Sequence, residues 1–142
     1  MELNLIATGI ELVGSTVKKL NIDNNIVDVE RDAKRSFGLY INEPRFENAD
    51  DTLFAQMIID FELSIKQSEK QECNIQISLE GAFASNGDVD EDKFKELVIV
   101  NGATALIGIA RGKIETISAN VFNNGKIVIP FVNVIDYYKK IM

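Results

Sequence analysis

The side chains that could do acid–base chemistry in this sequence are carboxylates, because the chain contains no histidine. That absence removes the commonest general base near neutral pH and every Ser-His or Cys-His nucleophile pair. Two close carboxylate pairs, Asp60 with Glu62 and Glu43 with Glu47, leave a carboxylate-dyad hydrolase as the enzymatic alternative. Asp60 and Glu62 fall on the polar side of an alternating segment, where solvated charge is the ordinary state. We therefore predict no catalytic residue and no enzyme.

Metal and cofactor sites are not predicted either. The single Cys73 excludes an intrachain disulfide, and the chain has no Cys/His cluster of the kind that holds zinc. The acidic cluster at residues 88–92 suits the start of a helix, where carboxylates meet free backbone amides. A metal site there is the alternative, although no later glutamate completes a calcium loop of the usual spacing. Asn124-Gly125-Lys126 lacks the setting of a phosphate-binding loop, and we interpret it as a turn.

Charge and hydropathy limit the possible partners. The chain has 22 Asp and Glu against 15 Lys and Arg and no basic stripe, so we do not expect nucleic-acid binding. No run of eighteen apolar residues occurs and the N-terminus has no basic region, so we expect no membrane insertion. With one cysteine, these features favour the cytoplasm. Hydrophobic residues nevertheless make up 46% of the chain, which suggests apolar surface reserved for self-association or for a ligand.

Period-two alternation predicts an antiparallel sheet with one wet face. The strongest alternation covers residues 53–65, a second covers 75–83, and the polar link between them predicts a hairpin. A third strand covers residues 37–41 and ends before Pro44, because proline cannot donate to a sheet. The first strand lies within residues 10–22, where Gly14 marks a bulge or a crossing. These are the four strands of the predicted sheet.

The second half of the chain changes to helical periodicity. A long helix over about residues 90–122 has an apolar stripe that we expect to face the sheet, formed by Ala103, Ile107, Ala110, Ile114, Ile117 and Val121. Gly102, Gly108 and Gly112 indicate close backbone approach, to the sheet or to another copy of the helix. The turn at residues 123–125 stops this helix, and an extended apolar loop (123–134) and a short helix (135–141) follow. We predict one α+β domain, residues 1–142, with a four-stranded antiparallel sheet and both helices on one face.

Three segments of this pattern are similar to one known family. Segment 73–87, with Gly81-Ala82-Phe83, looks like the family's fourth strand, and residues 127–134 look like the loop before its last helix. Segment 101–117 is similar to the family's long helix, with Asn101, Gly102, Leu106, Arg111 and Ile114 in the expected relation. Together these segments resemble the SecB family of protein-export chaperones. The chain departs from the family at Ile107 and Gly108, where an aromatic residue and a proline are common, and it ends at Met142 without the Cys/His-bearing tail that binds zinc and the translocase motor.

The resemblance implies a SecB-like holdase, a chaperone that binds non-native polypeptide without ATP. Its clients would be preproteins for export or, since the zinc tail is absent, an antitoxin of a toxin–antitoxin–chaperone system, and its assembly would be a homotetramer built as a dimer of dimers. The residues that we expect to line the client grooves are Phe37, Leu39, Ile41, Ile127, Ile129, Phe131, Val134, Tyr137 and Tyr138. For each of them, plain core packing is the alternative. The alternative for the whole protein is a dedicated protein-interaction or small apolar-ligand-binding module without chaperone activity.

Overall fold

The computed structural model describes residues 9–141, in which five β-strands precede three α-helices. The elements are β1 (Gly9–Asn24), β2 (Lys34–Ile41), β3 (Arg45–Ala49), β4 (Thr52–Ser68), β5 (Gln71–Asn86), α1 (Glu91–Leu97), α2 (Ala103–Val121) and α3 (Val134–Ile141). Residues 1–8 and 142, which the predicted domain includes, lie outside the described residues. The predicted α+β class is confirmed, with an antiparallel sheet and the helices on one of its faces.

The sheet has five strands rather than the predicted four. Its order is β1-β5-β4-β2, and β3 pairs with β4 beyond the end of β2. The edge position beside β4 is therefore shared by two short strands, separated by a kink at residues 42–44. Pro44 cannot donate to the ladder. Asn42 holds the kink, because its Nδ2 donates to the Ile58 carbonyl at 2.9 Å and to Asp60 Oδ2 at 2.8 Å.

The irregularity expected in the first strand is present as two bulges. The register of β1 on β5 shifts between Leu12 and Gly14, so that Val13 is the extra residue, and shifts again between Val17 and Lys19. Gly14 itself pairs with Ala82, so the first bulge lies one residue before the position that the sequence suggested. Bulges of this kind increase local twist and interrupt the ladder.

One face of the sheet is buried beneath the helices. The inward side chains of β4 and β5 alternate with polar ones, and those of Met57, Ile59, Phe61, Ile75, Ile77 and Leu79 are at most 1% exposed. On α2 the buried residues are Ala103, Leu106, Ile107, Ala110, Ile114 and Ser118. Leu106 and Ser118 were not predicted, whereas Ile117 and Val121 of the predicted stripe are only half-buried. Burial follows the 103-107-110-114-118 row, and the polar Ser118 is tolerated there because its hydroxyl is hydrogen-bonded.

Two glycines allow the helix to approach the sheet. A Cβ at Gly81 would overlap the Leu106 side chain, and a Cβ at Gly102 would lie 3.1 Å from the Phe83 ring. By contrast, a Cβ at Gly108 or Gly112 would meet no atom within 4 Å, because these residues lie on the outer face of α2. The helix therefore approaches the sheet closely at Gly102, and the other two helical glycines leave its outer face without side chains at those positions.

A π-helical turn, Val98–Gly102, joins α1 and α2 into one helical stretch, Glu91–Val121. The acidic cluster begins it as predicted: Asp90 is the N-cap and its side chain accepts the Lys93 N–H at 2.7 Å. By length and composition alone the stretch is apolar enough to cross a membrane, a test that helices of a buried core also pass. Its apolar stripe packs on the sheet, as a core helix does.

Candidate functional site

Two apolar grooves lie where the edge strand β2, the connecting segment 123–133 and α3 meet. The first, here called the α3 groove, has a volume of about 890 Å³ and lies between residues 40–44, Ile99 and Val100 of the π turn, and four residues of α3: Ile135, Tyr138, Lys139 and Ile141. The second, the loop groove, has a volume of about 250 Å³ and lies between residues 35–37 of β2, 63–65 of β4 and 127–130 of the connecting segment. Both grooves are open to solvent.

The π turn builds one wall of the α3 groove. A π turn adds a residue to the helical repeat and so changes the direction in which the neighbouring side chains point. Here Ile99 and Val100 line the groove while Val98 and Gly102 on either side are buried against the sheet. Thr104 ties the turn to the following helix, since its hydroxyl donates to the Val100 carbonyl at 2.7 Å. The π turn thus leaves the side chains of Ile99 and Val100 partly exposed, although Val98 and Gly102 are buried.

The helix α3 forms the opposite wall and is fixed at its start and at one tyrosine. Asn133 caps it, with its side-chain oxygen accepting the Asp136 N–H at 3.1 Å. The hydroxyl of Tyr137 accepts the backbone N–H of Ile41 at 2.9 Å and so docks α3 on the edge of β2. Val134 is buried beneath the helix, whereas Ile135 and Ile141 are more than half exposed on its outer side.

The neighbouring Tyr138 is the unusual polar group of the α3 groove. Its ring packs edge-to-face on Tyr137, with ring centroids 5.4 Å apart. Its hydroxyl is buried and has no hydrogen-bond partner among the described residues. Burial raises the pKa of this phenol, and the nearby Tyr137 raises it further, so the hydroxyl stays protonated near neutral pH. A buried donor without an acceptor is costly, and this hydroxyl is the one such side-chain group found among the described residues.

The connecting segment is held against α2 by two polar side chains. The Ser118 hydroxyl accepts the N–H of Ile127 at 2.7 Å, and Arg111 Nε donates to the carbonyl of Ile129 at 3.0 Å. These two bonds turn Ile127 and Ile129 inward and leave Val128 58% exposed. Phe131 is 89% exposed, and the Arg111 guanidinium lies 4.2 Å from its ring centroid.

The nine residues proposed from the sequence fall into three groups. Four are buried in the core and offer at most 5% of their surface in this conformation, namely Ile41, Ile127, Ile129 and Val134. Phe37 and Phe131 are exposed, and Leu39, Tyr137 and Tyr138 are half-buried. Of the buried four, Ile41 borders the α3 groove, and Ile127 and Ile129 border the loop groove. These four side chains are buried because the backbone of each segment that carries them is hydrogen-bonded to the rest of the fold.

Several groove residues were not proposed from the sequence. Tyr40, Ile135 and Ile141 are more than half exposed and line the α3 groove, as do Ile99 and Val100. The spacing of Ile135 and Ile141 around the short helix, opposite the buried Val134, was the available signal. Apart from Asn101 and Gly102, the residues of the π turn are ordinary helix and strand formers, so the sequence did not distinguish this turn from the start of a regular helix.

The carboxylates of the enzymatic alternative have structural partners or stand apart. Asp60 lies on the face of the sheet opposite the helices and accepts hydrogen bonds from Asn42 and from the Ser78 hydroxyl. Glu43 lies at the rim of the α3 groove, and Glu47 lies on β3, exposed. Cys73 is buried, and burial raises the pKa of its thiol to about 11, so it is not a nucleophile at neutral pH. Among residues 9–141 no group of three or more metal-ligating side chains is arranged to hold an ion.

Comparison with known proteins identifies the fold. No protein-family model matches the sequence, and no curated protein matches it. Among solved structures, the chain is similar to the SecB-like chaperone Rv1957 of Mycobacterium tuberculosis, solved in complex with a ChAD peptide from the Rv1956 HigA1 antitoxin, with a TM-score of 0.58 and 10% identity over 91% of this chain and 94% of that one. It is also similar to a protein of unknown function from Streptococcus agalactiae, with a TM-score of 0.54 and 12% identity over 88% of this chain and 100% of that one. The chain therefore has the fold of a SecB-like chaperone.

Proposed function

We propose that this protein is an ATP-independent chaperone that holds extended, non-native polypeptide in the α3 groove and the loop groove. The observation that carries the proposal is the set of exposed apolar side chains that line these two grooves, namely Phe37, Tyr40, Val128, Ile135 and Ile141. The fold supports it, because the Mycobacterium tuberculosis chaperone of the same fold was solved with a peptide from an antitoxin.

The grooves suit many weak contacts rather than one tight ligand. Each buried apolar side chain of a client contributes about 25 cal/mol per Å² of area removed from water, without a directional requirement. The open edge of β2 adds main-chain hydrogen bonds, which do not depend on client sequence. A module for one small molecule would instead enclose most of its ligand. The two grooves are open, and this favours polypeptide over a small apolar ligand.

The client class and the assembly belong to the same proposal. We assign the clients to preproteins awaiting export or to an antitoxin, and place the protein in the cytoplasm as a homotetramer. Support for self-association comes from β1, where Leu12, Leu20 and Ile22 lie on the helix side of the sheet and are each about 40% exposed. Light scattering should return four times the 15.8 kDa mass of the chain at micromolar concentration, and a monomer would contradict the assembly.

Aggregation of an unfolded client in the absence of ATP tests the function. The wild-type protein should suppress light scattering by chemically denatured model proteins of unrelated sequence. Phe37→Ser and Ile135→Ser, one beside each groove, should weaken suppression severalfold and leave the protein folded, because the two side chains are 41% and 52% exposed and belong to no fully buried part of the core. The control is Val27→Ser, which removes an aliphatic side chain that is 61% exposed and lines neither groove. Equal suppression by all four proteins would show that the grooves do not hold the client.

A further inference from the structure

Along a short stretch of β2, the backbone groups that point away from β4 have no hydrogen-bond partner among residues 9–141. In an antiparallel strand, successive residues direct their N–H and C=O groups alternately to the two sides. Asn42 N–H donates to Ile58 of β4, whereas Ile41 N–H donates away from β4, to Tyr137. The register of β2 on β4 is unbroken from Lys34 to Ile41, so the odd residues 35, 37 and 39 also direct their backbone groups away from the sheet.

Both ends of this stretch are closed by side chains. At one end Tyr137 of α3 accepts the last outward N–H, that of Ile41. At the other end the Arg35 guanidinium folds back along the chain and donates to the carbonyls of Ala33, at 3.0 Å, and of Glu30, at 3.2 Å. The open backbone is therefore confined to residues 35–39. The loop groove, about 250 Å³ in volume, lies beside its first half, between residues 35–37 and the connecting segment.

The other edge of the sheet is built differently. β1 is interrupted by bulges at Val13 and Lys18, and a second lysine, Lys19, follows directly. Bulges and lysines are devices by which edge strands avoid unwanted pairing. The open stretch of β2 has neither a bulge nor a lysine and carries the half-buried Leu39 and the exposed Phe37. An extended chain should therefore pair with the edge of β2 more readily than with the edge of β1.

We propose that Tyr137 and Arg35 act as stops that limit strand addition on β2 to a segment of about five residues and so fix its register. The inference rests on the proposed function and adds a length limit to it. An extended client segment pairs with residues 35–39, its side chains alternate between the loop groove and the opposite face, and its backbone cannot continue past Tyr137. Tyr137 is a specificity-determining residue, because it decides where the bound segment must leave the sheet.

Capped peptides of alternating threonine and valine, five and nine residues long, test the limit on the wild-type protein. Amide hydrogen exchange followed by NMR should show new protection at Phe37 and Leu39 with either peptide. The nine-residue peptide should bind no more than about fivefold tighter than the five-residue one, the gain from about one further hydrogen bond. A steady rise in affinity with length would overturn the stop. Suppression of aggregation without protection at Phe37 and Leu39 would overturn this inference alone, whereas loss of both would overturn the proposed function as well.

Two tyrosine variants locate the stop. Tyr137→Ala removes the acceptor and the ring that blocks the edge, so the Ile41 amide should exchange faster in the free protein and become protected when the nine-residue peptide binds. Tyr138→Ala is the matched control, since it removes the adjacent aromatic of α3 but leaves the Tyr137 hydroxyl that accepts the Ile41 N–H. Equal Ile41 exchange in both variants, with and without peptide, would overturn the role of Tyr137. If Tyr137→Ala does not fold, the affinities of the two peptides for the wild-type protein still decide whether strand addition is limited in length.

Discussion

Single substitutions at Ile129 and Phe131 separate the core of this protein from its binding surface. The two residues are two positions apart on the connecting segment, yet Ile129 is 2% exposed and Phe131 is 89% exposed. Ile129→Ala deletes a buried side chain and should cost about 2–5 kcal/mol. Phe131→Ala removes an exposed ring whose one specific contact is the Arg111 guanidinium, worth about 0.5–1 kcal/mol at an exposed site.

These costs translate into different melting temperatures. For a chain of this size, roughly 3–4 °C of Tm corresponds to each kcal/mol, so Ile129→Ala should lower Tm by roughly 6–20 °C and Phe131→Ala by no more than about 4 °C. Domains of this kind have about 5–15 kcal/mol of total stability, so Ile129→Ala should still fold at low temperature. Circular dichroism on heating measures both shifts.

The client assay supplies the second half of the test. Measured below both transitions, Phe131→Ala should suppress client aggregation less well than Ile129→Ala, although it is the more stable of the two. The reverse order would show that Phe131 is not part of the client surface. A fall in Tm of the same size for both variants would refute the burial argument, because it would mean that Phe131 is packed as tightly as Ile129.

Further outcomes follow from other contacts. Ser118→Ala should destabilise the protein by about 1–3 kcal/mol in urea unfolding, because the buried N–H of Ile127 loses its acceptor; no change would mean that water replaces the hydroxyl. Gly112→Ala should raise the free energy of unfolding by up to about 1 kcal/mol, since a Cβ there meets no atom within 4 Å, whereas Gly81→Ala should lower it through overlap with the helix; stabilisation by both would contradict the packing. Cys73 should resist thiol reagents until the protein unfolds. Because its folded pKa is raised to about 11, the folded state keeps the proton, so stability is lost as pH rises from about 9 to about 11, and Cys73→Ala should flatten that loss.

The sheet and the long helix could be predicted because their residues repeat the periods that burial imposes. The alternation over residues 53–65 places one parity of β4 at the helices, and the structure has that parity buried. The break between β2 and β3 was harder to predict from the sequence. Pro44 marked the end of a strand, but the continuation of the edge as β3 depends on pairing with β4. The bond of Asn42 to Asp60 joins residues 18 positions apart, and no local pattern indicates it.

The grooves were harder to predict because groove and core residues are of the same chemical types. The run at residues 127–129 offers apolar side chains to both sides, and Pro130 prevents a regular ladder, so exposure of the whole segment was a reasonable expectation. The structure instead alternates it, with Ile127 and Ile129 inward and Val128 outward. What decides between these arrangements is the tether to α2, which involves residues 9 and 18 positions earlier in the chain.

Backbone hydrogen bonding explains which residues of the site are buried. An irregular segment can bury a side chain only if the polar groups of its backbone find partners when they lose water. Three polar side chains supply those partners, and each one pairs with the backbone of a buried isoleucine: Ser118 with Ile127, Arg111 with Ile129, and Tyr137 with Ile41. Where no such partner is provided, as at Val128 and Phe131, the side chain stays at the surface. One of these anchors was visible in the sequence, since Ser118 falls four residues after Ile114 on the apolar row of the helix. A polar residue within the apolar row of a helix indicates a nearby buried backbone group that needs a hydrogen-bond partner. The search for binding surface in such a segment should therefore begin at the residues that lie between its anchors.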